Sequence, residues 1–250
     1  MNTPDSPVSV VRGEEVTLPG DASHGDPTLP GYAAIAPGAR RGVVVIHEIF
    51  GRQPEVDRVV DRFARAGYAA VAPDLFAHGR LACIRATFGA MKTGEDIAPV
   101  RAARRARTWL CERAGLAPDR VALIGFCFGG GFALLAGVGW AAVSTNYGEV
   151  PPEERLRGLG PTHGCYGGRD VLFRGKADVL RARLTRVGVE HTVRVYPEAG
   201  HAFLTDGDYP IASALSWPLM HVRYDPAVAE EGWRDILAFF DQHLGVAEMP

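Results

Sequence analysis

Apolar positions along this chain fall into short unbroken runs, separated by longer stretches in which they recur every three or four residues. The runs at 42–46 (Gly-Val-Val-Val-Ile), 68–72 and 121–124 have strand length and no polar interruption, as expected of strands covered on both faces. Runs at 31–36, 141–146, 162–166 and 192–196 read as further strands. An alternating piece at 8–16 reads as an edge strand within a Pro- and Gly-rich peripheral segment, 1–28. Residues 54–66 place Val56, Val59, Val60 and Phe63 on one face, with charges between them, and stop at Gly67, the pattern of an amphipathic helix. Helical patterns recur at 96–114 (Ile97, Val100, Ala103, Leu110 and Cys111 inward), 176–187 and 229–244. Residues 75–93 and 205–228 lack clear periodicity and read as irregular loops.

Strands alternating with helices predict an α/β fold with a mainly parallel sheet and helices on both faces. The chain shows no repeat, low-complexity tract or linker, so residues 1–250 are expected to form a single domain. Ligands of such sheets bind beyond the carboxyl ends of the strands. Glu48, Cys127, Asp170 and His201 each follow a predicted strand closely.

The formal charge of −2 leaves no basic footprint for nucleic acid or an anionic membrane. No apolar run approaches the ~18 residues that span a bilayer, and the acidic first 20 residues lack the apolar core of a signal peptide. Cys83, Cys111, Cys127 and Cys165 lie far apart, with no CxxC pair or zinc-like His spacing. The expectation is a soluble, reduced, cytoplasmic protein without metal or cofactor, either a monomer or a homodimer.

The apolar run at 121–124 leads into Gly125-Phe126-Cys127-Phe128-Gly129-Gly130-Gly131 and then an Ala/Leu-rich helical start. Strand, tight turn and helix with a nucleophile at the apex make a nucleophile elbow, here Gly-x-Cys-x-Gly. The turn forces Cys127 toward positive φ and leaves no room for side chains at Gly125 and Gly129. The competing interpretation is a buried cysteine in a glycine-rich turn. A thiol nucleophile needs a base, and an imidazole acting as base needs a partner that sets its tautomer. Cys127, Asp170 and His201 supply these in the chain order of α/β-hydrolases. His163 and His191 fall at strand beginnings, His24 and His243 in terminal segments, and His221 in the late loop. A carboxylate at Glu48, after a buried strand, is costly unless paired or used. It either faces the thiol and influences its protonation or sits in a surface loop beside Arg52. The amides of Ile49 and Phe128 are candidate oxyanion donors.

Gly-Phe-Cys-Phe-Gly-Gly-Gly, His-Glu-Ile-Phe-Gly, Pro-Asp-Leu-Phe, Tyr-Gly-Gly-Arg-Asp and Ala-Gly-His-Ala-Phe together resemble the dienelactone hydrolase family (carboxymethylenebutenolidases) over roughly residues 30–245. The resemblance implies an α/β-hydrolase fold with Cys127 as nucleophile, His201 as base and Asp170 as its orienter. It also implies that Glu48 helps generate the thiolate and that Ile49 and Phe128 donate to the oxyanion. In the family's pattern two arginines hold the lactone carboxylate, one just after Pro-Asp-Leu and one four residues beyond the histidine. This sequence has His78 and Thr205 there, with Arg80 and Arg85 as nearby substitutes. These four and Tyr147 are the candidate substrate-binding residues.

Thiol chemistry narrows the substrate. A tetrahedral intermediate formed from an unactivated alkyl ester expels the thiolate, the better leaving group, and reverts. An enol lactone, aryl ester or thioester goes forward. The expected function is hydrolysis of an activated small-molecule ester or lactone through a thioester acyl-enzyme, with a thioesterase or aryl esterase as variants. Readings from other classes are a thiol peroxidase or redox protein built on Cys127 and a non-catalytic binding module. Residues 75–93 and 205–228, with Trp217, Met220 and Tyr224, are expected to cap the pocket.

Overall fold

The computed structural model of the chain describes residues 12–207 and 220–245. Its centre is a sheet built from β1 (Glu14–Leu18), β2 (Leu29–Ile35), β3 (Gly42–Ile46), β4 (Ala69–Pro73), β5 (Val121–Phe126), β6 (Val143–Asn146), β7 (Thr162–Gly167) and β8 (His191–Tyr196). The order is β1-β2-β4-β3-β5-β6-β7-β8. β1–β2 and β2–β4 pair antiparallel and all other pairs are parallel. The strands match the apolar runs closely. Of the alternating edge piece, residues 8–11 lie outside the described residues, and the edge strand is Glu14–Leu18.

The central strands alternate sides with the expected period of two. Val44 and Ile46 of β3 join Val121 and Leu123 of β5 in one core, while Val43 and Val45 join Ala122, Ile124 and Phe126 in the other. The first core is covered by α2 (Arg80–Thr93), α3 (Ala98–Ala114), α4 (Phe128–Ala136) and α5 (Lys176–Arg186), the second by α1 (Pro54–Arg65) and α6 (Pro226–Leu244). Helix α1 buries Val56, Val59, Val60, Phe63 and Ala64, an apolar stripe of spacing i, i+3, i+4, i+7, i+8. Among the described residues no helix is long and apolar enough to cross a membrane.

The unperiodic stretch 75–93 is mostly helix, which corrects the expected loop. The inward face of α2 is Cys83, Thr87, Ala90 and Met91, mostly small or polar, whereas Leu81 and Phe88 face out. A hydrophobic-pattern argument has nothing to hold on to in such a helix. Its end is conventional, with Gly94 left-handed at φ 77° and its N–H donating to the Ala90 carbonyl. The late loop is likewise shorter than expected, because α6 begins at Pro226, where the Asp225 carboxylate accepts the N–H groups of Ala227 and Val228.

Candidate active site

β5 delivers Cys127 at the carboxyl edge of the sheet, and α4 starts at the next residue. Cys127 has φ 53° and ψ −114°, a conformation costing a non-glycine residue about 1–3 kcal/mol and held only by its surroundings. Crowding explains the flanking glycines. A Cβ on Gly129 would lie 2.5 Å from the Ile46 carbonyl oxygen and 2.6 Å from that of His47, so α4 starts against the end of β3. Phe128 is the first residue of α4, so its N–H has no acceptor within the helix and remains available.

Asp170, in the turn after β7, and His201, in the loop after β8, are both buried. The His201 Nδ1–H donates to Asp170 Oδ2 at 2.6 Å, a bond that also sets the tautomer. The His201 backbone N–H donates to the Met220 carbonyl at 2.7 Å, tying the loop to residues beyond it. Its ring lies between Tyr147 (centroids 4.8 Å apart) and Phe173 (4.9 Å). The buried Nε2 makes no hydrogen bond of normal geometry, yet Cys127 lines the same cavity closely enough to act on it electrostatically. Burial is the largest single influence on His201 and disfavours the cation. The Cys127 thiolate and the Asp170 carboxylate together outweigh it and raise the imidazole to about 10.

Glu48 is buried, not in a surface loop. Its Oε1 accepts from Thr205 Oγ1 at 2.9 Å and from the Tyr147 hydroxyl at 3.4 Å. Burial pushes its carboxyl up, against a partial lowering by nearby His201. Arg52 is engaged elsewhere, with Glu15 and Asp57. Thr205 and Tyr147, expected to contact substrate, stand behind Glu48 and orient it, and neither lines the cavity. Tyr147 takes a left-handed φ of 44° to do so.

His47 escaped the sequence analysis. It is completely buried; its Nδ1–H donates to the Glu48 carbonyl at 2.8 Å, and its Nε2 accepts the Leu75 N–H at 3.1 Å. Both bonds together require the neutral ring, in agreement with the lowering that burial imposes. The Glu48 carbonyl also accepts the Gly51 N–H at 3.1 Å, so His47 holds the turn that carries Ile49. The only sequence signal was a polar side chain directly after a buried strand, which Glu48 next to it overshadowed.

Cys127, His201 and Glu48 border one cavity of about 330 Å³, and Asp170 stands behind His201. Ile49 and Phe128 also line it, as do Phe88 and Met91 of α2 and Met220. His78 does not. It bonds the Thr28 carbonyl at 2.8 Å and lines a separate cavity between α2 and α3. Cys83 borders that second cavity too, with its thiol raised by burial to about 11, and His78, the histidine there, is engaged by the Thr28 carbonyl. Arg80 and Arg85 are exposed on α2 and line neither cavity, because the helix turns them to solvent. Trp217 lies outside the described residues, and Tyr224 borders a polar cleft beside α1. Cys165 is core, its thiol pushed up to about 12.

That polar cleft holds Glu55, buried in the first turn of α1 with its Oε1 lacking a partner. Burial first, and then repulsion from Glu48 and Asp57, raises it to about 7 against a partial lowering by its own backbone N–H and by Arg58. The folded state therefore holds this proton more tightly than the unfolded chain. Stability from Glu55 is complete below its ordinary value of 4.5 and is lost as pH rises to about 7, at a cost that solvent screening in the open cleft reduces to about 1–3 kcal/mol. Glu55→Gln is expected to raise the melting temperature at pH 8 by about 2–10 °C and to change it little at pH 4.5. Thermal unfolding at the two pH values checks this; equal shifts at both would refute the assignment.

The family model of the dienelactone hydrolase family matches residues 29–244. A Yersinia pestis protein provisionally named carboxymethylenebutenolidase is 29% identical, covering 94% of this chain and 90% of its own. The solved structure titled m3DLH is 27% identical at a TM-score of 0.73, covering 94% of this chain and 99% of its own. A dienelactone hydrolase-like promiscuous phosphotriesterase from metagenomic libraries, P91, shares the fold at a TM-score of 0.74 and 23% identity, over 94% of this chain and all of its own. On this match, and on the α/β-hydrolase fold beneath it, the chain belongs to the dienelactone hydrolase family and is a carboxylic ester or lactone hydrolase.

Proposed function

We propose that this hydrolase cleaves activated esters and lactones through Cys127, His201 and Asp170, by way of a thioester on Cys127. One observation carries the proposal: a cysteine strained to φ 53° shares a cavity wall with a histidine whose far nitrogen is held by a buried aspartate at 2.6 Å. The Cys127 proton passes to His201 Nε2, and Sγ bonds to the substrate carbonyl carbon. The developing oxyanion takes the N–H groups of Ile49 and Phe128. The tetrahedral intermediate collapses with cleavage of the bond to the leaving oxygen, which receives the proton from His201. Water, deprotonated by His201, then attacks the thioester, and the thiolate leaves and regains its proton. Glu48, made more basic by burial, is a second acceptor for the thiol proton.

Rapid mixing with 4-nitrophenyl acetate followed by intact-mass analysis tests the mechanism. An acetyl adduct on the Cys127 peptide, formed and lost at the turnover rate, is expected. Turnover with no adduct, in a variant slowed at deacylation as well, would overturn it.

His47 acts as a positioning residue. His47→Ala is expected to lower kcat about 10–100-fold with little change in KM. His47→Asn keeps a donor near the Nδ1 position and should recover most of the loss. Equal activity in all three proteins would remove His47 from the account.

A further inference from the structure

The charges that line the cavity beside Cys127 bear on which acyl group fits. The chain contains 27 Lys and Arg, and the residues outside the described portion include none of them. None of the 27 lines this cavity. Among the described residues its charged lining besides His201 is acidic, namely Glu48 and Glu149. Glu149 is itself paired with Lys176, which leaves that lysine engaged outside the lining. The other described residues of the wall are Phe50, Phe88, Met91, Phe128, Phe173 and Met220, together with smaller apolar residues. Aromatic rings cluster on one side, with Phe128 6.3 Å from Phe88 and 6.4 Å from Phe132 behind it.

We infer that the substrate's acyl group is uncharged and carries an aromatic ring or a comparably bulky apolar group, and that esters bearing a free carboxylate are excluded. This rests on the ester-hydrolase reading above and goes beyond it in naming the substrate class. The argument is one of desolvation. A carboxylate entering this cavity loses its water, meets no guanidinium or ammonium, faces the buried Glu48, and finds the one cationic group of the lining, His201, already engaged by Asp170. A neutral ring gains contact with phenylalanine edges and methionine sulfurs, both favourable for an aromatic guest. The size agrees. A cavity of about 150 Å³ takes one benzene ring, so the 330 Å³ here has room for about two groups of that size, an acyl part and a leaving group. Neither His78 nor Thr205 alters this inventory: His78 lines another cavity, and Thr205 is committed to Glu48.

The test compares 4-nitrophenyl benzoate with 4-nitrophenyl 4-carboxybenzoate, which differ by one carboxylate. Wild-type kcat/KM is expected to favour the neutral ester at least about 100-fold, the penalty for burying an unpaired charge. Phe88→Arg, which adds a cation to the cavity wall, is expected to shrink that preference at least about 10-fold. Equal rates on the two esters, or preference for the anion, would overturn the inference, as would an anion preference that disappears in Lys176→Met. If neither ester turns over, the hydrolase reading of this cavity fails on its own account. The charge preference is then decided by alkylation of Cys127 with N-phenyl iodoacetamide and with iodoacetate, each rate divided by that with glutathione. Faster normalised labelling by the neutral aromatic reagent supports the inference, and equal or slower labelling rejects it.

Discussion

Cys127→Ala is expected to lower kcat/KM for a 4-nitrophenyl ester at least about 10⁴-fold while leaving the fold intact. The side chain is the proposed nucleophile, so its removal abolishes the covalent route and leaves only binding and the oxyanion donors. Its loss should cost little stability, because alanine occupies the same strained φ of 53° and opens no enclosed core void beside a solvent-connected cavity. Cys127→Ser separates chemistry from geometry. Its hydroxyl takes the same place on the elbow, but an alkoxide is a poorer leaving group from the second tetrahedral intermediate, so deacylation should slow and an acyl-serine accumulate. Steady-state rates and intact masses of the three proteins read both effects. Wild-type activity in Cys127→Ala would end the thiol mechanism.

Gly125→Ala is expected to be the most destabilising single methyl that can be added near the site. A Cβ on Gly125 would stand 1.9 Å from the Gly129 carbonyl oxygen and 2.2 Å from its carbonyl carbon, both backbone atoms of the first turn of α4. No rotamer change relieves such a clash; β5 and α4 must separate, although both are buried in the first core. The expected loss exceeds about 4 kcal/mol, which for a chain of this length is a drop in melting temperature of more than about 8 °C or failure to fold. Gly89→Ala on α2 is the control. Nothing lies within 4 Å of its added Cβ, so it should raise stability by about 0.5–1 kcal/mol through helix propensity. Thermal unfolding of the pair measures how tightly the elbow is packed, and a Gly125→Ala protein as stable as wild type would contradict the packing described here.

The acid–histidine pair follows the same logic of local constraint. Asp170 and His201 come from turns after different strands, yet both turns meet at one end because β7 and β8 run parallel and adjacent in register, Thr162 opposite His191 and Gly167 opposite Tyr196. Parallel pairing thus places residues that are 31 apart in sequence within hydrogen-bonding distance.

What the sequence alone settled is the set of strands, the elbow and the order of Cys127, Asp170 and His201, because each is written locally. Buried parallel strands are continuous apolar runs, and the elbow is spelled by glycines whose missing side chains the turn requires. α2 was illegible because its inward face is small and its large apolar residues look outward, toward the cavity or solvent. Only the tertiary structure decided that Thr205 and Tyr147 serve Glu48 rather than substrate, that His78 belongs to another cavity, and that His47 is neutral and holds the Glu48 turn. Those assignments depend on which side chains, distant in sequence, share one low-dielectric space. Burial and partner geometry set both the direction of a hydrogen bond and the charge a group carries, and neither exists until the chain has closed around them.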